Sequence, residues 1–244
     1  MKHLILFFLM ATIFNSYVLH SQKQNDRPVV LELFTSQGCS SCPPADRLLS
    51  EVKARFGNEK VIALSYHVDY WDRLGWKDPF SNYAFTEKQR NYARKFKSNS
   101  LYTPQIVVNG KKGFVGSRKA ALLEAIQSYD QGTSVENVKI EEIKQKDQIL
   151  SITATVENTG EGLFLRYLLV IDERITSIKR GENRDLKLRN SNVVVAEKEV
   201  EVTKSALRLS LPIPALVKSS DALSIVLLLV DEQNTIITGV QKDL

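Results

Sequence analysis

The sequence has few of the residues on which metal-dependent and nucleophilic enzymes rely. Its 244 residues include two cysteines and three histidines. If an N-terminal segment is removed on export, His3 and His20 are lost with it, and His67 is the only imidazole that remains. Multi-histidine metal sites within one chain are thereby excluded, and a mechanism that pairs a nucleophile with histidine would have to use His67.

Long apolar runs and a strong excess of charge are also missing. After the N-terminus, the longest apolar runs lie at 167–171 and 225–230 and have the length of strands, so no later segment predicts a membrane span. The formal net charge is +5, which is small and is better explained as a contribution to solubility than as a nucleic-acid-binding surface. We therefore expect neither a nucleic-acid partner nor a membrane span after the N-terminus.

The N-terminus itself predicts export. Lys2 precedes an apolar run from Leu4 to Phe14, which is too short to span a bilayer comfortably and is typical of a secretory signal peptide. We expect the signal peptide to cover residues 1–21, with cleavage after Ser21, and the mature protein to be periplasmic or secreted. A retained N-terminal anchor is the alternative.

The first half of the chain alternates between strand and helix patterns, in the order β-α-β-α-β-β-α. Apolar runs predict the strands, and apolar residues at helical spacing predict the helices. Because helices separate the first three strands, we expect these strands to be mainly parallel. The predicted segments are a strand over 27–35, a helix from Pro43, a strand over 61–65, a helix opened by a Thr86–Gln89 capping box, a strand at 106–108, a turn at Asn109–Gly110, a strand at 113–115 and a helix capped by Ser117.

The pattern changes near residue 132. Beyond it, apolar and polar residues alternate, as in 150–156 and 207–213, which predicts half-buried strands. About seven such strands in the last part of the chain suggest a β-sandwich. We therefore expect two domains, an α/β domain over 26–131 and an all-β, sandwich-like domain over 134–244.

The two cysteines form a Cys-Ser-Ser-Cys motif between the first strand and the helix that begins at Pro43. At a helix N-terminus, free N–H groups and the helix dipole stabilise a thiolate, which is the attacking form of cysteine. We expect Cys39 to be the accessible nucleophile at the mouth of the turn and Cys42 to be the shielded thiol that resolves the mixed disulfide. The partners would be protein or small-molecule thiols and disulfides, and this chemistry requires no organic cofactor.

Three alternatives remain open for the cysteine pair. The first is a structural disulfide, although a loop this short constrains the unfolded chain little. The second is a copper(I) site that uses Cys39, Cys42 and His67, since copper(I) needs fewer soft ligands than the four of structural zinc. The third is a pair of inert core thiols, which the flanking glycine and prolines disfavour.

Other candidate site residues lie in two later segments. Thr103-Pro104 precedes the third strand; an X-Pro bond is where a cis peptide is tolerable, and its position predicts a groove for substrate. His67 follows the second strand, and in an open α/β sheet sites form beyond the carboxyl ends of parallel strands. His67, Asp69 and Trp71 are therefore candidate accessory residues. Packing roles are the alternative for His67 and Trp71.

Several longer blocks carry a resemblance to a family of secreted bacterial thioredoxin-like proteins of uncharacterised function. The blocks lie at Leu33–Asp46, His67–Asp72, Leu74–Phe80, Tyr102–Gln105 and Arg180–Asn183. The resemblance implies a thioredoxin-like fold with a glutaredoxin-type minimal core, followed by a β domain. It also implies redox roles at the matching positions Cys39, Cys42 and Pro104, and it implies no particular substrate.

Three functional hypotheses follow from the sequence. The first is an exported thiol–disulfide oxidoreductase that acts through Cys39 and Cys42. The second is a copper(I)-binding or delivery module, and the third is a redox-inert extracytoplasmic binding protein in which the β domain recognises the partner.

Overall fold

A computed structural model describes residues 27–129, 138–157 and 159–244. The expected signal peptide over 1–21 and the predicted boundary near residue 132 lie outside the described residues. The described helices are α1 (Pro43–Phe56), α2 (Tyr83–Lys95) and α3 (Lys119–Ser128). The described strands are β1 (Val29–Thr35), β2 (Val61–His67), β3 (Gln105–Val108), β4 (Lys112–Val115), β5 (Val138–Lys146), β6 (Ile149–Val156), β7 (Leu163–Ser177), β8 (Lys187–Glu201), β9 (Ala206–Pro212), β10 (Leu223–Asp231) and β11 (Ile236–Asp243). Within these ranges no helix is both long and apolar enough to cross a membrane.

The described residues form a mixed α/β structure with two sheets. One sheet has eight strands in the order β11-β10-β7-β8-β2-β1-β3-β4, and the other is an antiparallel sheet in the order β5-β6-β9. The expected parallel pairing is correct for β1 and β2 but wrong for β3, which is antiparallel to β1. The segment after α2 turns back along that helix, where Gln89 donates a hydrogen bond to the Tyr102 carbonyl. Consequently β3 starts beside Phe34, at the end of the sheet where β1 finishes.

The large sheet continues across the predicted domain boundary. Strand β2 pairs in parallel with β8 at Ser65 and Val193, so four strands of the C-terminal half extend the sheet of the N-terminal half. Strand β5 is one that the alternation pattern did not single out. The division into domains over 26–131 and 134–244 stays a prediction, and the sheet is a physical connection between the two parts.

Three buried clusters hold these layers together. Apolar residues of α1 and α3 pack on one face of β1 and β2, while Phe85 and Tyr92 of α2 pack on the other face together with β10. The third cluster lies between the three-stranded sheet and strands β7, β8 and β10. In β10, Leu227 belongs to one cluster and Leu228 to another. This explains the uninterrupted apolar run at 225–230, since a strand buried on both faces needs apolar residues at every position.

Two of the predicted caps are wrong, and one predicted turn is confirmed. Helix α2 begins at Tyr83, because the Asn82 side chain accepts a hydrogen bond from the Ala84 N–H and caps the helix. Thr86 and Gln89 therefore lie inside α2 with their side chains buried. Helix α3 is preceded by Arg118 as its N-cap residue, one position after the predicted Ser117. At Asn109-Gly110 both residues have positive φ, 48° and 65°, as the predicted hairpin turn requires.

Candidate functional site

The two cysteines form a disulfide bond at the start of α1. Their Cα atoms are 5.4 Å apart, and Cys42 is the N-cap residue of the helix. The Cys42 N–H donates to the Cys39 carbonyl over 3.2 Å, so the four residues form a tight turn between β1 and α1. The structure thus places the pair where the sequence predicted it, at a strand-to-helix junction. We refer to residues 39–42 as the CxxC turn.

The electrostatic environment of the sulfurs differs from the expected one. Pro43 and Pro44 have no N–H, and the N–H groups of Ala45 and Asp46 both donate to the Cys42 carbonyl. The first-turn amides are therefore absent or already paired, and they cannot bind a Cys39 thiolate directly. The hydroxyl of Ser41 lies 3.3 Å from the Cys39 sulfur and is the group placed to donate to it.

Both sulfur-bearing residues are inaccessible in this structure. Cys39 and Cys42 are each 0% exposed, whereas Ser40 and Ser41 between them are exposed. The expectation that Cys39 lies open at the mouth of the turn is wrong for the disulfide form. The reason is that segments from distant parts of the chain pack around the turn.

One of these segments is the connection between β7 and β8. The side-chain amide of Asn183 donates to the carbonyls of both Gln37 and Cys39, each over 2.9 Å. The carboxylate of Glu182 accepts the Ser40 N–H over 3.1 Å, and the pKa of Glu182 is lowered by its hydrogen bonds to Ser40. The C-terminal half of the chain therefore binds the backbone of the CxxC turn.

The other segment is Thr103-Pro104, whose peptide bond is cis. The Ser41 hydroxyl oxygen lies 3.4 Å from the Thr103 carbonyl oxygen, which is a second acceptor for its one hydrogen besides the Cys39 sulfur. The indole N–H of Trp71 donates to the Thr103 hydroxyl over 2.8 Å. The structure thus brings Thr103 and Trp71 together beside the CxxC turn. A substrate groove at Thr103 and Pro104 stays a prediction.

Asp69 does not belong to this site. The hydroxyl of Thr86 on α2 donates to the Asp69 carboxylate over 2.6 Å and accepts the Asp69 N–H over 3.2 Å. Asp69 therefore joins the loop after β2 to α2. Of the three candidate accessory residues, Trp71 contacts the site directly and Asp69 is bound elsewhere.

His67 is connected to the site through Asp78. Its Nδ1 is 2.7 Å from an Asp78 oxygen, and that oxygen also accepts the N–H of Gln37, two residues before Cys39. Burial alone would lower the pKa of His67, but the Asp78 carboxylate outweighs it and the pKa is raised. Burial alone would raise the pKa of Asp78, but His67 and the backbone donors Gln37 and Phe80 lower it. When His67 is protonated, the two side chains form a buried ion pair.

Asp46 is a second buried acid, and it lies on α1 four residues after Cys42. Because its N–H donates to the Cys42 carbonyl over 3.1 Å, Asp46 lies one helical turn below Cys42 on the same face. It is 5% exposed. Burial, with a smaller contribution from Asp78, raises its pKa to about 7, against the opposing effects of His67, Thr35 and Asn190. Asp46 therefore changes its charge near neutral pH.

Buried polar atoms without hydrogen-bond partners surround this carboxyl group. Thr35 and Asn190 face it closely enough to influence its pKa. Among the described residues, Thr35 Oγ1, Asp46 Oδ1, His67 Nε2 and Asn190 Nδ2 are buried and make no hydrogen bond of good geometry. Such groups are unusual in a folded protein and call for a functional or structural reason. They form a buried polar cluster behind the CxxC turn.

The described part of the chain contains no group of three or more His, Cys, Asp or Glu side chains arranged to hold a metal ion. His67 is bonded to Asp78 through Nδ1, and the two cysteines are bonded to each other. The copper(I) hypothesis therefore gains no support from a third ligand.

Sequence reasoning missed several residues of this site. They lie in the blocks that carried the family resemblance, which was the only sign of their importance, and they are Gln37, Asp46, Asp78, Glu182 and Asn183. An acidic residue in the first turn of a helix is usually a solvated partner of the helix dipole, so Asp46 gave no sign of burial.

Comparison with known proteins gives a family and a similar fold. A family model described as "Protein of unknown function (DUF1223)" matches residues 30–229. The crystal structure of protein AGR_C_4864 from Agrobacterium tumefaciens is similar, with 26% sequence identity and a TM-score of 0.64. The match covers 87% of this chain and 92% of that one. No curated protein matches the chain.

Proposed function

The chain belongs to the DUF1223 family, whose function is unknown, and from its own residues we propose that it is an exported thiol–disulfide oxidoreductase. Cys39 and Cys42 are the exchanging pair, and the partners are protein or small-molecule thiols and disulfides. The N-terminal sequence supports export, and disulfides form and persist in the oxidising compartments to which exported proteins go.

The architecture around the cysteines supports a thioredoxin-like core. The order β-α-β-α-β-β-α is present, and β2, β1, β3 and β4 are adjacent in that order. The CxxC turn joins β1 to α1, and Thr103-Pro104 lies beside it directly before β3. In this arrangement a bound segment would lie between the CxxC turn and the start of β3.

The observation that carries the proposal is the buried carboxyl group of Asp46 one turn below the Cys39–Cys42 disulfide. Thiol–disulfide exchange requires a thiol to lose its proton before it attacks, because the thiolate is the nucleophile. A carboxyl group with a pKa of about 7 can accept and return that proton at neutral pH. A purely structural disulfide does not require a nearby group that accepts and returns a proton.

The exchange proceeds in two balanced steps when the protein starts from its dithiol form. The Cys39 thiolate attacks a partner disulfide, forms a mixed disulfide and releases one partner sulfur as a thiolate. Asp46 takes the proton of Cys42, and the Cys42 thiolate then attacks the Cys39 sulfur and releases the second partner thiolate. The partner disulfide is reduced by two electrons and the protein dithiol is oxidised by two electrons. The reverse sequence oxidises a partner dithiol.

A redox-inert protein with a structural disulfide is the second candidate. The observation in its favour is the complete burial of Cys39 and Cys42. A buried disulfide is protected from attack, which is what a structural role requires. The two candidates differ in whether the cysteines exchange with an external partner.

Cysteine variants test the proposal with oxidised glutathione as the probe. We expect Cys42→Ser to accumulate a mixed disulfide at Cys39, visible by mass spectrometry, because the resolving thiol is missing. The matched variant Cys39→Ser should accumulate little, and the reduced wild-type protein should pass through the mixed disulfide to its internal disulfide. If neither variant forms a mixed disulfide after long incubation in the folded state, the pair is structural.

A further inference from the structure

The connection between β7 and β8 contacts the CxxC turn but has no part in the exchange steps. We call residues Ile178–Leu186 the cap loop. Its base is closed by its own hydrogen bonds, since the Ile178 N–H donates to the Leu186 carbonyl over 2.9 Å and the Asp185 N–H donates to the Ile178 carbonyl over 3.0 Å. The side chain of Ile178 is buried at this base. The cap loop therefore has a shape that does not depend on the CxxC turn.

Its attachment to the turn is polar and depends on few groups. Asn183 is 3% exposed, and one side-chain amide nitrogen bonds two backbone carbonyls, those of Gln37 and Cys39. Glu182 adds one bond to the Ser40 N–H. These bonds go to backbone atoms of Gln37, Cys39 and Ser40, and none of them involves a sulfur. They can break while the hydrogen bonds at the base of the cap loop stay in place.

The cap loop packs against the loop after β2 at two glycines, Gly181 and Gly75. Gly181 has a φ of 76°, and a Cβ added to it would lie 3.2 Å from the Cβ of Trp76. A Cβ added to Gly75 would lie 3.6 Å from the Gly181 backbone. The absence of a side chain at Gly181 lets the two backbones approach, whereas a Cβ at Gly75 would make only an ordinary contact. Glu182 and Asn183, which follow Gly181, bind the backbone beside it.

The consequence concerns access to the disulfide. A thiolate must reach a disulfide sulfur in order to attack it, and here both cysteines are fully buried although Ser40 and Ser41 are exposed. The bonds of Asn183 and Glu182 hold the cap loop against the Cys39 side of the turn. In this conformation the disulfide is closed to an external thiol.

We propose that the cap loop is a gate on the Cys39–Cys42 disulfide, that Asn183 is its latch, and that external thiols react only with a cap-open form. The inference rests on the proposed function and describes how that function would be regulated. A partner thiol reacts with the disulfide at the rate at which the cap loop opens, or after a partner protein displaces the cap loop. Asn183 is a positioning residue, since it acts through the backbone of the turn.

Reduction kinetics with dithiothreitol test the gate. Dithiothreitol is oxidised to its cyclic disulfide as it reduces the protein disulfide to two thiols, and alkylation followed by mass spectrometry reports the fraction reduced. For the wild-type protein we expect the rate to level off as the dithiothreitol concentration rises, because cap opening becomes limiting. A rate that stays proportional to concentration, and equal to that of the same disulfide in urea-unfolded protein, would overturn the gate.

Variants of the latch give the second readout. Asn183→Ala removes both hydrogen bonds, and Asn183→Asp keeps the shape but loses the donor. We expect either change to speed reduction by roughly ten- to a hundredfold, the ratio that corresponds to the loss of one or two such bonds. The matched control is Arg184→Ala on the same loop, since Arg184 is exposed and pairs only with its neighbour Asp185 in the bonds described. This control should react like the wild type.

Urea unfolding of the oxidised variants separates opening of the cap loop from unfolding of the whole protein. If a faster reduction comes from global destabilisation, the unfolding midpoint falls together with it, and the role assigned to Asn183 is wrong. If Asn183→Ala does not fold, the concentration dependence of the wild type decides alone. The tests of the gate and of the proposed function are independent. If the gate hypothesis is wrong, Cys42→Ser still forms the mixed disulfide with glutathione. If Cys42→Ser forms no mixed disulfide, the dithiothreitol kinetics still report whether the cap loop limits access to the disulfide.

Discussion

The burial of Asp46 predicts an unusual dependence of stability on pH. An aspartate whose pKa is raised in the folded state binds a proton there more tightly than in the unfolded chain. Between the unfolded pKa of 3.8 and the folded pKa of about 7, the folded state carries more protons, and the stability contributed by this group falls as pH rises. It is fully present below about pH 4 and is lost above about pH 7.

The size of the effect follows from the shift in pKa. A shift of about three units corresponds to about 4 kcal/mol at most, at 1.36 kcal/mol per unit. Asp46→Asn removes the ionisable group while keeping its shape, so this variant should be more stable than the wild type at pH 8. The advantage should shrink as the pH falls through 7 and should have its smallest value near pH 4.

Urea unfolding of the oxidised protein at pH 5 and pH 8 measures this difference. The control is Asp185→Asn, because the Asp185 side chain is 79% exposed and should give the same small change at both pH values. The same Asp46→Asn variant should be slower in the resolving step, since Cys42 loses its proton acceptor. If the stability difference between wild type and Asp46→Asn does not change between pH 5 and pH 8, the carboxyl group does not titrate in this range and its assigned role is wrong.

Three further predictions concern the rest of the fold. Gly181→Ala should speed reduction of the disulfide, because a side chain at positive φ costs roughly 1–3 kcal/mol and displaces the cap loop. The control is Gly160→Ala, whose added Cβ meets only ordinary contacts. Equal reduction rates for the two variants would contradict the proposed contact between Gly181 and Trp76. Arg166→Met should lower the free energy of unfolding by about 3–5 kcal/mol, because it removes the only cation paired with the buried Glu32 carboxylate in the bonds described, and the Tyr92 hydroxyl that remains is neutral. A change below about 1 kcal/mol in urea would contradict this. A fragment of residues 26–131 should fold by circular dichroism but with reduced stability, since β2 loses its partner β8; a spectrum of coil alone would refute the predicted domain division.

Local patterns were sufficient to predict the N-terminal elements and the position of the cysteine pair. Apolar residues over 29–35, followed by the CxxC turn and two prolines, gave the strand, the turn and the helix start. The Asn109-Gly110 turn was equally clear, because both residue types tolerate positive φ. These features depend on residues close together in the chain.

The features that close the site depend on contacts between distant residues. The pairing of β2 with β8 rests on Ser65 and Val193, which carry no local sign of a shared sheet. The bonds from Asn183 to Gln37 and Cys39 join residues more than 140 positions apart. Polar residues of this kind are common in surface loops, so nothing in the alternation pattern distinguished Asn183 from an ordinary loop residue.

The reduction potential of the Cys39–Cys42 pair tests the central claim most directly. The protein is equilibrated from both its oxidised and reduced forms in dithiothreitol and glutathione buffers, and the fraction of free thiol is read by alkylation and mass spectrometry. An exchanging pair should lie between about −120 and −270 mV, the range of known thiol–disulfide oxidoreductases. A value below about −300 mV, which is typical of structural disulfides, would contradict the proposed function.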